Sequence, residues 1–68
     1  MRKTVGMNVR NARLRRDLSQ GEVAEKSGFS QQYLSELENG KRNPTIITLF
    51  EIAEALHVEV HSLLLPIK

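Results

Sequence analysis

The 68-residue sequence predicts an all-α fold, a compact bundle of about five short helices. Three observations carry that expectation. Leu49, Ile52, Ala53 and Leu56 recur at the i, i+3, i+4, i+7 spacing of a buried helix face. Cap residues and glycines punctuate the middle of the chain at helical lengths, Ser19 to Gly28 and Ser30 to Gly40. No stretch alternates apolar and polar residues as a half-buried strand does.

The first helix is expected over residues 5–16. Val5, Val9 and Ala12, with Leu14 or the Arg16 stem, form a narrow apolar stripe, and Arg10 and Arg13 lie beside it. A second helix runs from Gln20 to Ser27. Ser19-Gln20-Gly21-Glu22 is a capping box, in which the Ser19 hydroxyl accepts from the Glu22 amide and the Glu22 carboxylate reaches back to Ser19. Val23 and Ala24 face inward, and Gly28 ends the segment.

Ser30 caps a third helix, Gln31 to Asn39, with Leu34 and Leu37 as its apolar face and Gly40 as its stop. Lys41-Arg42-Asn43-Pro44 is a polar loop, because proline disfavours helix at Asn43. Thr45 caps a fourth helix. Ile47 and Phe50 widen its apolar stripe, which predicts burial on more than one side. Val58 to Leu65 reads as a last short helix stopped by Pro66.

This length fits one domain, residues 1–68, with a small core. Absence of cysteine removes disulfides and thiolate metal sites, and fits a reducing cytoplasm. His57 and His61 are spaced i, i+4, but no third ligand accompanies them, so no metal and no cofactor are expected. No apolar run approaches the roughly 20 residues of a membrane helix, and the start is no secretory signal. No nucleophile–base pair or carboxylate dyad is evident, which argues against an enzyme. A small-molecule ligand is not expected either, since there is no room for a separate effector domain.

Net charge is only +2, yet the charges are segregated. Residues 1–16 hold Arg2, Lys3, Arg10, Arg13, Arg15 and Arg16 without an acid. Residues 17–40 hold Asp17, Glu22, Glu25, Glu36 and Glu38 against Lys26 alone, and Lys41 and Arg42 follow. Such asymmetry suggests an anionic partner met by one face.

Two short helices joined through Gly28-Phe29-Ser30 make a helix-turn-helix, at about residues 19–39. Val23, Phe29, Leu34 and Leu37 would bind the pair to the rest, and Ala24 would permit close approach. Gln31, Gln32, Ser35, Glu36 and Asn39 are then left facing outward. Exposed helix surface is usually Lys and Glu. Gln and Asn instead carry paired donors and acceptors that fit adenine N6 and N7 in the DNA major groove.

The stretch from Leu18 to Val58 resembles the phage-repressor or Cro-like helix-turn-helix family, the XRE-type transcriptional regulators with a lambda-repressor-like DNA-binding domain. The residues that carry it are Leu18-Ser19-Gln20, Val23-Ala24-Glu25-Lys26, Gly28, Ser30, Leu34-Ser35, Leu37 to Pro44, and Leu49 through Leu56. The resemblance implies double-stranded DNA as the partner. It makes Gln31, Gln32, Ser35 and Glu36 base-facing, with Tyr33 nearby on the backbone side. It places Asn39, Lys41, Arg42 and Asn43 along the sugar-phosphate backbone, with Gln20 and Arg10 near phosphates. It also implies an Arg13–Glu38 ion pair that joins the first helix to the third. Ser27 departs from a commonly apolar position, and His57 stands at a common glycine.

The function so implied is a cytoplasmic transcriptional repressor or autoregulator reading a palindromic operator as a homodimer. Val60, Leu63, Leu64, Leu65 and Ile67 make residues 58–68 a candidate dimerisation segment. The competing class is a protein-interaction module, such as an antitoxin or a restriction–modification controller.

Overall fold

The computed structural model describes residues 2–66. It contains four α-helices, α1 (Arg2–Arg15), α2 (Gln20–Ser27), α3 (Gln31–Glu38) and α4 (Ile46–Leu56), followed by a 3₁₀ helix, Val60–Leu64. No strand occurs among the described residues. The expected fifth α-helix is thus a single tighter segment. Ser62 N–H bonds Glu59 C=O at 3.0 Å, three residues back. Leu65 before Pro66 is extended, ψ 146°, because a residue that precedes proline is disfavoured from the α region.

Local chemistry sets the boundaries of α2, α3 and α4. Ser19, Ser30 and Thr45 are extended N-caps whose hydroxyls accept from Glu22, Tyr33 and Thr48 backbone N–H. The Ser19–Glu22 capping box closes in both directions, at 3.0 and 2.8 Å. α1 starts at Arg2, ahead of the expected residue 5.

Helix ends share one device, a left-handed residue. Asp17 (φ 55°), Gly28 (φ 85°), Gly40 (φ 76°) and His57 (φ 58°) follow α1 to α4 in turn. After α4, Val58 N–H bonds Ala53 C=O and His57 N–H bonds Glu54 C=O, the paired bonds of a Schellman ending. The same pair follows α3, from Lys41 to Glu36 and from Gly40 to Leu37.

One core joins all elements. Val5, Val9, Ala12, Val23, Ala24, Leu34, Leu37, Leu49, Ile52, Ala53, Ala55, Leu56 and Leu63 are buried, and Leu18, Phe29, Tyr33, Val58 and Val60 pack around them. Full burial of each Val, Leu or Ile contributes about 1.5–3 kcal/mol. α1 crosses the end of α3 at Gly6, where a Cβ would meet the backbone oxygens of Leu37 and, at 2.8 Å, Glu38. Asn8 Nδ2 donates to Leu63 and Leu65 C=O at 2.9 and 2.7 Å, which ties α1 to the C-terminal segment.

Three apolar expectations are corrected. Leu14 is exposed, on the side of α1 away from Val5, Val9 and Ala12. Ile47 and Phe50 are 70% and 53% exposed, so α4 is buried on one face only. Leu49, Ile52, Ala53 and Leu56 take that face, and Ile46, Ile47 and Phe50 fall on another. Within the candidate dimerisation segment, Leu63 belongs to the core, while Leu64 and Leu65 are exposed. Ile67 lies outside the described residues.

Candidate nucleic-acid interface

α2 and α3 are joined by Gly28, Phe29 and Ser30, with Gly28 supplying the left-handed turn. α3 is sealed from below by Leu34 and Leu37, both fully buried. Gln31 and Gln32 open its first turn and are exposed, as is Asn39 at its end, while Ser35 and Glu36 are half-exposed. The Gln31 side chain leans over the turn, since a Cβ at Gly21 would lie 3.5 Å from its Oε1. The starts of α2 and α3 therefore lie side by side. Arg10, Lys41, Arg42 and Asn43 are exposed, and Tyr33 is half-buried.

A buried polar cluster holds this pair of helices to α1. Arg13 Nε and Nη2 donate to Glu38 Oε2 and Oε1 at 2.8 and 3.1 Å. Arg13 Nη1 donates to Leu18 C=O at 2.9 Å, so all three guanidinium nitrogens are used. Gln20 Nε2 donates to the same Glu38 Oε1 at 3.0 Å. The Glu38 side chain is 3% exposed, and a carboxylate so placed is stable only when paired. Three elements thereby meet at one carboxylate. This geometry gives Gln20 a structural bond that the sequence did not disclose, one that leaves its carbonyl and second N–H for other partners.

A second, exposed cluster covers α3. Arg42 Nε donates to Glu36 Oε1 at 2.8 Å, and the Arg42 guanidinium stands 5.3 Å from the Tyr33 ring centroid. Tyr33 stacks on Phe29 at 5.2 Å, and Gln32 Nε2 approaches Glu36 Oε2 at 3.5 Å. Hydrogen bonding from Arg42 holds the Glu36 carboxyl below its usual range. The backbone N–H of Ser19, and then its hydroxyl, do the same for Glu22 in the capping box.

His57 and His61 are not on one helix. His57 is the left-handed residue after α4, and its carbonyl accepts from Arg16 Nη2 at 2.9 Å. His61 lies in the 3₁₀ helix. Sequence reasoning missed Gly6 and Asn8. An interior glycine in a helix signals close packing only when the crossing partner is known, and Asn8 offered no local pattern.

Known proteins resemble this chain in sequence and fold. An uncharacterized HTH-type transcriptional regulator of Sinorhizobium fredii is 56% identical over 66 residues, 97% of this chain and 86% of that protein. Among solved structures, the restriction–modification controller C.AhdI of Aeromonas hydrophila superposes with a TM-score of 0.86 at 31% identity, over 90% of this chain and 92% of that one. SinR, the master regulator for biofilm formation, solved in complex with DNA, superposes with a TM-score of 0.83 at 36% identity, over 88% of this chain and 97% of that one. The helix-turn-helix family pattern matches residues 9–63, and the chain belongs to that family.

Proposed function

We propose that this chain is a sequence-specific regulator of transcription that binds double-stranded DNA, acting as a homodimeric repressor or autoregulator on a palindromic operator. One observation carries the reading. Gln31 and Gln32 stand exposed in the first turn of a helix whose opposite side is locked in the core by Leu34 and Leu37. The N-terminal residues of such a helix reach base edges in the major groove, and glutamine pairs bidentately with adenine. The likeness to SinR, solved with DNA, supports the same partner.

Ser35 and Glu36 stand one turn further along α3, at the edge of the same groove. Asn39, Lys41 and Asn43, with Arg10 of α1 and Gln20 of α2, follow the sugar-phosphate backbone, and Tyr33 meets a sugar. Such contacts set register and supply salt-dependent affinity without reading sequence. This is a non-enzymatic role, performed in the cytoplasm beside the DNA.

The dimer reading rests on exposed apolar surface. Ile46, Ile47 and Phe50 are 61%, 70% and 53% exposed on one small helix, and Leu64 and Leu65 add to them. Large apolar side chains left exposed in this number on so small a protein mark an interface. Self-association would cover the exposed α4 residues, the C-terminal Leu64 and Leu65, or both.

Binding to fragments of the source genome, measured across a salt series, tests the reading. Retention of particular fragments, with a binding constant whose logarithm falls linearly with log salt, is expected. Equal, weak retention of all fragments would reject it.

A further inference from the structure

Arg42 belongs by sequence to the loop after α3, yet its side chain turns back onto that helix. Nε is bonded to Glu36 Oε1 at 2.8 Å, and the guanidinium lies over the Tyr33 ring. Tyr33 is itself held by stacking on Phe29, which packs against the core. Arg13 shows the contrast. Its three nitrogens are all bonded, whereas both Nη groups of Arg42 are without a hydrogen-bond partner among the described residues.

We infer that Arg42 reads a guanine in the major groove and that Glu36 is the residue that positions it, an inference that rests on the DNA-binding reading above. With Nε engaged, the end-on edge of the guanidinium remains, and its two Nη groups match the spacing of guanine O6 and N7. Rotamer freedom that a long side chain would lose on binding is already restricted by Glu36 and Tyr33.

Glu36 finds its explanation in the same pair. A bare carboxylate on a helix that enters the groove is repelled by the phosphates. Bonded to Arg42, it is compensated locally and stays ionised over the whole neutral range. Gln32, bonded weakly to the other Glu36 oxygen, places an adenine-reading amide next to the guanine-reading fork. Arg42 thus acts with α3, apart from the backbone-following Lys41 and Asn43.

Selection from a duplex library with a randomised centre tests this, using the full chain and its Arg42→Lys, Arg42→Ala and Glu36→Gln variants at matched salt. Both side chains are on the surface, and unchanged urea midpoints certify the folds. The parent should enrich a motif containing a G·C pair whose preference disappears in both Arg42 variants. Affinity for the best site should fall about 10- to 100-fold in Arg42→Ala. Arg42→Lys keeps the charge but loses the fork, so it should lose the G·C preference as well. Glu36→Gln should weaken discrimination at that same pair.

Parent-like selection by Arg42→Lys, with Arg42→Ala weaker on every duplex and a salt slope lower by about one, would make Arg42 a phosphate contact and overturn the inference. Discrimination unaffected by Glu36→Gln would remove Glu36 from its positioning role. A parent that enriches no motif would overturn the DNA-binding reading itself.

Discussion

Arg13 and Glu38 form a two-pronged ion pair across the interior, 2.8 and 3.1 Å long, between the first and third helices. Their side chains are 11% and 3% exposed. Loss of Arg13 leaves a buried carboxylate with only Gln20 as donor. Arg13→Ala should therefore destabilise the fold by about 3–5 kcal/mol. Urea unfolding measures this, and adding Glu38→Ala should restore part of the loss, because the orphaned charge is gone. A variant as stable as the parent but weak on DNA would move Arg13 to the DNA surface.

Gly6→Ala should destabilise by about 1–3 kcal/mol. Its Cβ has no flexible neighbour to displace, only backbone oxygens of Leu37 and Glu38. Relief requires α1 and the end of α3 to separate. Chemical denaturation reads the stability, and fragment binding should weaken in parallel because α3 shifts. An unchanged midpoint would mean that the two helices do not approach so closely.

His57→Gly should act in the opposite direction. His57 adopts φ 58° in the Schellman ending of α4, a conformation that glycine reaches without strain. A gain of about 1 kcal/mol is expected, visible as a higher thermal midpoint. The bond from Arg16 goes to the His57 carbonyl and survives the change.

Much of this architecture was legible because it is written locally. The capping box at Ser19, the caps at Ser30 and Thr45, and the glycines at 28 and 40 fixed the helix-turn-helix to within a residue, α3 ending at Glu38 with Asn39 as its cap. Arg13–Glu38 came from resemblance, since 25 residues separate the partners and no period relates them. What stayed hidden depends on crossings. Gly6 reads as a weak helix former until α3 lies over it. Ile47 and Phe50 read as core because apolar type does not say which side of a helix meets the rest. The last segment reads as a short helix, but apolar spacing over so few residues does not separate α from 3₁₀, and Val60–Leu64 takes the 3₁₀ form.

Ile47→Lys and Phe50→Lys should leave the monomer intact, within about 0.5 kcal/mol, because both positions are exposed. Sedimentation at micromolar concentration should shift from dimer to monomer, and fragment affinity should drop with it. A parent chain that is monomeric both free and on DNA would dismiss the α4 interface.

Base reading by the first turn of α3 is the central claim, and Gln32→Ala tests it most directly. A motif selected by the parent, in two half-sites about 34 Å apart, supplies the probe, together with its single-base variants. Loss of the Gln32 amide should cost about 1–3 kcal/mol on the best site and flatten preference at one base pair per half-site, with the salt slope unchanged. A variant whose preference profile matches the parent at every position would contradict the account.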